Sequence, residues 1–128
     1  YSLNEVEAMD VCRFAAEQNV PVLVQMRVND ERNQPVSIQV NGVSANSIAE
    51  LSLRVPECRI IALNAYRSEI PTLATGGTNL AVDPSFLDGV GVMDYVQETM
   101  GADRFVWGSG APFLHIQAAV LKLQYWKR

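Results

Sequence analysis

At 128 residues and 14.1 kDa the chain has room for one domain built around one hydrophobic core. Ten Lys+Arg against fourteen Asp+Glu leave a net charge of −4 and a pI near 4.9, with no basic run to neutralise phosphates, which argues against nucleic acid as a partner. Apolar residues at 48% and a mean hydropathy of +0.04 are globular values, and no apolar stretch reaches the roughly 18–20 residues that a membrane-spanning helix needs.

In chain order, Ser2-Leu3-Asn4-Glu5 has capping-box spacing, and Val6, Met9, Cys12 and Ala16 follow at helical intervals, so a helix is expected over 3–18. Val20-Pro21-Val22-Leu23-Val24 is apolar without alternation, the pattern of a strand buried on both faces in a parallel sheet. Residues 27–43 are polar and long for a connection, the kind of loop that serves a site. Ser47 and Glu50 suggest a second capping box, for a helix that must stop near Val55 because Pro56 disfavours helical geometry before it. Arg59-Ile60-Ile61-Ala62-Leu63 is the second expected strand, and a short helix over 69–74 ends at Gly76-Gly77.

Asn79-Leu80-Ala81-Val82 is the third strand, and Met93, Val96 and Met100 mark the inner face of the next helix, with Gly101 at a left-handed C-cap. Arg104-Phe105-Val106-Trp107 is the fourth strand. Pro112 suits the first turn of a last helix whose inner face is Phe113, Ile116, Val120 and Leu123. Trp107, Tyr125 and Trp126 read as packing aromatics, and Lys127-Arg128 suits the negative end of that helix.

The order is thus a helix, then strand–helix four times: an α/β fold of four parallel βα units with right-handed crossovers. Four such units are half of a TIM (β/α)8 barrel, which takes about eight strands and about 250 residues. Half a barrel exposes two strand edges, so completion by the remaining half barrel or by a second copy is expected; an open, flavodoxin-like layer is the alternative. Cys12 and Cys58 are too few for a disulfide framework and lack metal spacing, so two reduced, buried thiols are expected. The expected compartment is the cytoplasm, although Tyr1 already reads like mid-protein sequence and a targeting segment before it stays open.

Ligands meet parallel sheets at the C-terminal ends of the strands. There the chain carries Gln25 and Arg27, Asn64 and Arg67, Asp83 with Pro84 and Ser85, and Gly108-Ser109-Gly110-Ala111-Pro112-Phe113. The phrases Val20-Pro21-Val22-Leu23-Val24-Gln25, Arg59-Ile60-Ile61-Ala62-Leu63-Asn64 and Gly101 through Phe113 resemble the last four strands of the amidohydrolase-related family. The resemblance covers essentially the whole chain. It implies a metal-dependent (β/α)-barrel hydrolase, lactonase or decarboxylase, in which two of these strands end in His and the last reads Gly-Ser-Asp. With a His-x-His pair on the barrel's first strand, those groups hold a Zn-like ion and the water it activates.

This sequence departs from the pattern at all three places: Gln25 and Asn64 stand where the histidines belong, and Gly110 where the aspartate belongs. Neutral amides are weak ligands for divalent ions and glycine offers no side chain. The resemblance therefore implies a barrel segment degenerate at its metal site, with no cofactor expected; Zn or a similar ion belongs to it only if the family chemistry survives. Whether the chain acts as an enzyme is left open.

Each candidate has a bland reading beside the sharp one. Gln25 and Asn64 either keep a small-ligand pocket polar without a metal or are simply hydrogen-bonded polar residues inside a former metal site. Arg27 and Arg67 either grip a carboxylate or phosphate together by forked hydrogen bonds or are solvated loop arginines that pair with Asp30 or Glu69. Asp83 is either a residual acid at the pocket mouth or the cap of its own Asp-Pro-Ser turn. Ser109 lacks the Gly-x-Ser-x-Gly context of a nucleophile, and His115, the single histidine, precludes any histidine cluster within the chain. Three functions follow: part of an active metal-dependent hydrolase or decarboxylase on a small carboxylated substrate, a ligand-binding module, or a structural element with neither membrane nor nucleic-acid partners.

Overall fold

The computed structural model describes residues 3, 5–28, 30, 35, 37 and 40–126. Its elements run α1 (Val6–Glu17), β1 (Val22–Gln25), α2 (Ala45–Arg54), β2 (Ile60–Leu63), a 3-10 turn (Arg67–Glu69), α3 (Ile70–Ala74), β3 (Leu80–Val82), α4 (Val92–Met100) and α5 (Ile116–Gln124). The strands form one parallel sheet in the order β1-β2-β3, with Val22 opposite Ile60 and Ile60 opposite Leu80.

The alternation is as expected, but the fourth strand is not formed. Residues 104–107 touch the sheet at a single bridge, Val82 to Phe105. Arg104 shows why the stretch is held there without a long ladder. Its guanidinium reaches back to the carbonyls of Leu80 (2.9 Å) and Gly77 (2.9 Å), and to those of Leu73, Ala74 and Gly76 at the end of α3. A cation at a helix C-terminus answers carbonyls that lack a partner within the helix.

Side chains that alternate along β2 and β3 explain the core. Ile60 and Ala62, with Leu80 and Val82, point toward α2, α3 and α4 and meet Ile48, Leu51, Ile70, Leu73 and Val96, all nearly inaccessible to solvent. Met93, Val96 and Met100 form the inner face of α4, as their spacing predicts. α2 ends at Val55 before Pro56, also as expected, but its N-cap is Ser44, whose hydroxyl accepts from the Ser47 amide at 3.1 Å. The helix therefore starts three residues before the Ser47–Glu50 box, and Glu50 lies exposed in mid-helix.

Other boundaries also move. α1 starts at Val6 after Glu5, whose side chain makes no capping bond, while Ser2 lies outside the described residues. Val6 is exposed; the buried residues of α1 are Cys12 and Ala15. β1 is not buried on both faces: it is a margin strand, and Leu23 is 60% exposed. Gly101 has φ +96 and ψ 153, a positive-φ cap that is extended rather than left-handed helical. Most of the 27–43 loop, and the Lys127-Arg128 pair, lie outside the described residues.

The C-terminal helix departs furthest. It begins at Ile116, with His115 as an exposed N-cap, so Pro112 stands in the turn before it. Ala119 is its one buried residue, whereas Phe113, Ile116, Val120 and Leu123 are 65, 48, 39 and 38% exposed. Trp107 and Tyr125 are exposed too. Trp126 does pack, edge-on to Phe105 at 4.9 Å between ring centroids, and donates to Gln97 Oε1 at 2.9 Å. No helix among the described residues is long and apolar enough to cross a membrane.

Candidate functional site

The parallel register brings the C-terminal ends of β1 and β2 side by side, since Gln25 pairs with Leu63 and Asn64 follows directly. Asn64 then turns the chain with φ +61, a left-handed conformation that asparagine tolerates better than most side chains. Its Nδ2 donates to the Arg27 carbonyl at 2.8 Å, and Gln25 Nε2 donates to the same carbonyl at 3.2 Å. The two strand-end amides thus converge on one backbone oxygen.

Arg27 is the centre of this corner and is 6% exposed. Its guanidinium forms a forked pair with Glu69, Nη1 to Oε2 at 2.9 Å and Nη2 to Oε1 at 2.5 Å, and Nη1 also donates to the Asn64 carbonyl. It lies over the Tyr66 ring, 3.9 Å from the centroid, and Tyr66 Oη donates to Asp30 Oδ1 at 3.1 Å. Glu69 Oε2 in turn accepts from the Tyr66 amide at 2.7 Å, fixing the start of the 3-10 turn. Burying a guanidinium is costly unless its charge is matched and its donors are met, and here β1's end supplies the cation while the turn after β2 supplies the anion.

The other candidates sit apart from that corner. Arg67 is exposed and stacks on Tyr95, its guanidinium carbon 4.5 Å from the ring centroid, so it does not join Arg27 in one anion grip. Asp83, 5% exposed, caps its own turn: Oδ1 accepts from the Ser85 amide at 2.8 Å and Oδ2 from the Ser85 hydroxyl at 2.7 Å. Gly108 packs against that carboxylate so closely that a Cβ would collide with it. Ser109 Oγ accepts from the Ala111 amide at 3.2 Å, and Gly110 sits at φ +65 beneath Leu114.

Lys122, from α5, donates to the carbonyls of Ser85 (2.7 Å) and Pro84 (3.0 Å); burial lowers its pKa, opposed by the nearby Asp88 and Asp83 carboxylates. Burial likewise pushes the Cys12 thiol up to about 11, with Cys58 adding to the rise, and both cysteines are free and buried.

A cavity of about 760 Å3 opens at the end of β1 against the N-terminus of α2, lined by Gln25, Arg27, Asn41, Val43, Ser44 and Ser47 among others. Of the candidate site residues read from the sequence, Gln25 and Arg27 line it, whereas Asn64, Arg67, Asp83 and Ser109 do not. Sequence reasoning passed over Tyr66, Arg104 and Lys122. It named Glu69 only as a possible partner of an arginine, although Tyr66-x-x-Glu69 has the spacing by which a carboxylate reaches back to a helix-start amide.

Gln25 and Asn64 turn their amide donors toward a carbonyl, and neutral amides are weak ligands for a divalent ion; no group of three or more His, Cys, Asp or Glu suited to a metal occurs among the described residues.

No protein-family model and no curated protein matches the sequence. Among solved structures the chain is similar to amidohydrolase 2 from Bifidobacterium longum subsp. infantis, with a TM-score of 0.64 at 16% identity. The match covers 93% of this chain and 48% of that one, so the chain has an amidohydrolase-like α/β fold and spans about half the length of the protein it matches.

Proposed function

We propose that the chain is an amidohydrolase-type half-barrel segment whose strand ends have exchanged metal ligation for a structural cross-link, so that it does not carry out metal-dependent hydrolysis by itself. One observation carries the reading: both amides at the histidine positions donate to the Arg27 carbonyl while the Arg27 guanidinium is held by Glu69. Such a corner ties β1 to β2 and leaves neither amide oriented as a ligand by an outer carboxylate, the arrangement that tunes true metal ligands. Without a held cation, the pKa of a bound water is not drawn down toward neutrality, and the nucleophile of metal-assisted hydrolysis is not made.

The test is metal content together with turnover. After purification without chelator, Zn, Mn and Fe are expected well below one per chain, and added divalent ions are expected neither to raise the melting temperature nor to induce ester, lactone or decarboxylase activity. One tightly held ion per chain whose removal lowers the melting temperature would overturn the proposal.

A second reading, binding of a small carboxylated ligand without chemistry, is favoured by the cavity beside Gln25 and Arg27. Ligand binding to the folded state raises apparent stability, so a carboxylate panel in a thermal-shift assay separates it from the purely structural role.

A further inference from the structure

α1 rests on the sheet through two small side chains, Cys12 and Ala15, which are its buried residues. Small side chains bury little apolar area, so α1 is held less firmly than α2 with Ile48 and Leu51, or α4 with Met93 and Val96. Cys12 is 2% exposed, yet it lines a groove of about 460 Å3 between α1 and β1, with Val22 in the facing wall and Glu5 and Glu7 on the α1 side.

Cys58 lies behind that wall. It is fully buried, does not line the groove, and directly precedes Arg59, whose carbonyl accepts from the Val22 amide at 2.8 Å. Val22 therefore borders both cysteines, Cys12 across the groove and Cys58 along the entry to β2. The two thiols are free, belong to one apolar cluster, and are close enough that each acts on the other's titration.

We propose that Cys12 and Cys58 form a modification site, at which a small disulfide entering the groove oxidises the pair to an intramolecular disulfide that bolts α1 to the start of β2. The Cys12 thiolate attacks one sulfur of the entering disulfide, which forms a mixed disulfide and releases one thiolate. The Cys58 thiolate then attacks the Cys12 sulfur, which forms the Cys12–Cys58 bond and releases the second. Two protein thiols are oxidised, the small disulfide is reduced to two thiols, and the protein's two thiol protons end on them. The order follows from the groove, which only Cys12 of the pair lines. Its acidic side favours a cationic disulfide over an anionic one. Burial lifts the Cys12 thiol to about 11, so thiolate is scarce near neutrality and the exchange is slow. The light anchoring of α1 lets the helix settle onto the new bond, and none of this depends on the β1–β2 corner or on the strand-end metal question.

The test is incubation of the reduced, folded chain with cystamine at about pH 8.5, followed by intact mass, peptide mapping and melting. The end product is expected to have lost two hydrogens, to yield a linked Cys12–Cys58 peptide, and to melt about 5–10 °C higher, since the bond closes a long loop that contains β1 and α2. Cys58→Ser is expected to stop at a mixed disulfide on Cys12, and Cys12→Ser to leave Cys58 unreacted while folded. If Cys12→Ser loses its helical circular dichroism, the order is read in the wild type by acid quenching, where the early mixed disulfide maps to Cys12. Folded protein that stays reduced would overturn the proposal. So would first attack at Cys58, an end product with a cystamine half on each cysteine, a disulfide joining two chains, or an unchanged melting temperature.

Discussion

Replacing Glu69 by Gln isolates the charge at the centre of the β1–β2 corner with little change in shape. The Arg27 side chain is 5% exposed and that of Glu69 22%, so the pair is desolvated but not sealed. Breaking a fully buried pair by removing one partner costs about 3–5 kcal/mol. A glutamine oxygen can still accept one bond from Arg27 and one from the Tyr66 amide, and the arginine keeps the Tyr66 ring face and the Asn64 carbonyl. The expected cost is therefore about 2–3 kcal/mol, out of the roughly 5–15 kcal/mol by which domains are usually stable.

Urea unfolding followed by circular dichroism reads that number directly, since urea, unlike guanidinium, leaves the ionic strength untouched. The companion variant Arg27→Met removes the buried charge and leaves a partly solvated carboxylate, so it is expected to cost less than Glu69→Gln. The double variant should then fall short of the sum of the singles by about 1–2 kcal/mol, the coupling of residues that share a network. If Glu69→Gln costs under about 0.5 kcal/mol, or if the singles add within that margin, the pair does not hold the strand ends together and the cross-link argument fails.

Two further outcomes test neighbouring parts of the structure. Gly108→Ala sets a Cβ against the Asp83 carboxylate, which two bonds from Ser85 hold in place, so a loss of about 1–3 kcal/mol is expected on thermal or urea unfolding, and a neutral result would mean that the Asp83 turn is free to yield. For Cys12, burial raises the folded-state pKa from 9.0 to about 11, so the folded state holds the proton more tightly and the associated stability is complete below 9.0 and lost as the pH climbs toward 11. Stability measured from pH 8.5 to 11 should fall more steeply in the wild type than in Cys12→Ala, and equal slopes would show that the thiol titrates as if exposed.

What the sequence made legible was the order of elements, and the reason is periodicity. The α4 face of Met93, Val96 and Met100, the stop of α2 at Val55 and the run from Ile60 to Leu63 are all fixed by local pattern and by proline geometry. Boundaries shifted where local signals compete: Ser44 and Ser47 both suit an N-cap, and only the tertiary position of α2 decides for Ser44. The site was half legible. Strand-end logic located Gln25, Arg27 and Asn64, which do meet, but it could not show that the amides turn toward a shared carbonyl, because that depends on the positive φ of Asn64 and on an arginine 42 residues from its carboxylate. Arg104 was invisible for the same reason, since its partners are backbone carbonyls that carry no sequence signal.

The disagreement over α5 has a different physical meaning from these boundary errors. Ile116, Val120 and Leu123 recur at the interval of a buried helix face, and Leu23 sits in the middle of a strand that reads as buried on both sides, yet both places are open to solvent. Neither pattern is wrong about the existence of the helix or the strand, although α5 starts at Ile116 rather than at Pro112 and β1 runs from Val22 to Gln25. What the pattern encodes in addition is burial, and burial is a property of a contact between two surfaces. The two uncovered patches lie at opposite margins of one sheet, and on the half-barrel reading proposed above closure of the ring would cover both. The sequence thus overstates the core of this chain at the two margins of its sheet, where its apolar pattern runs on past the surfaces that the described residues bring together.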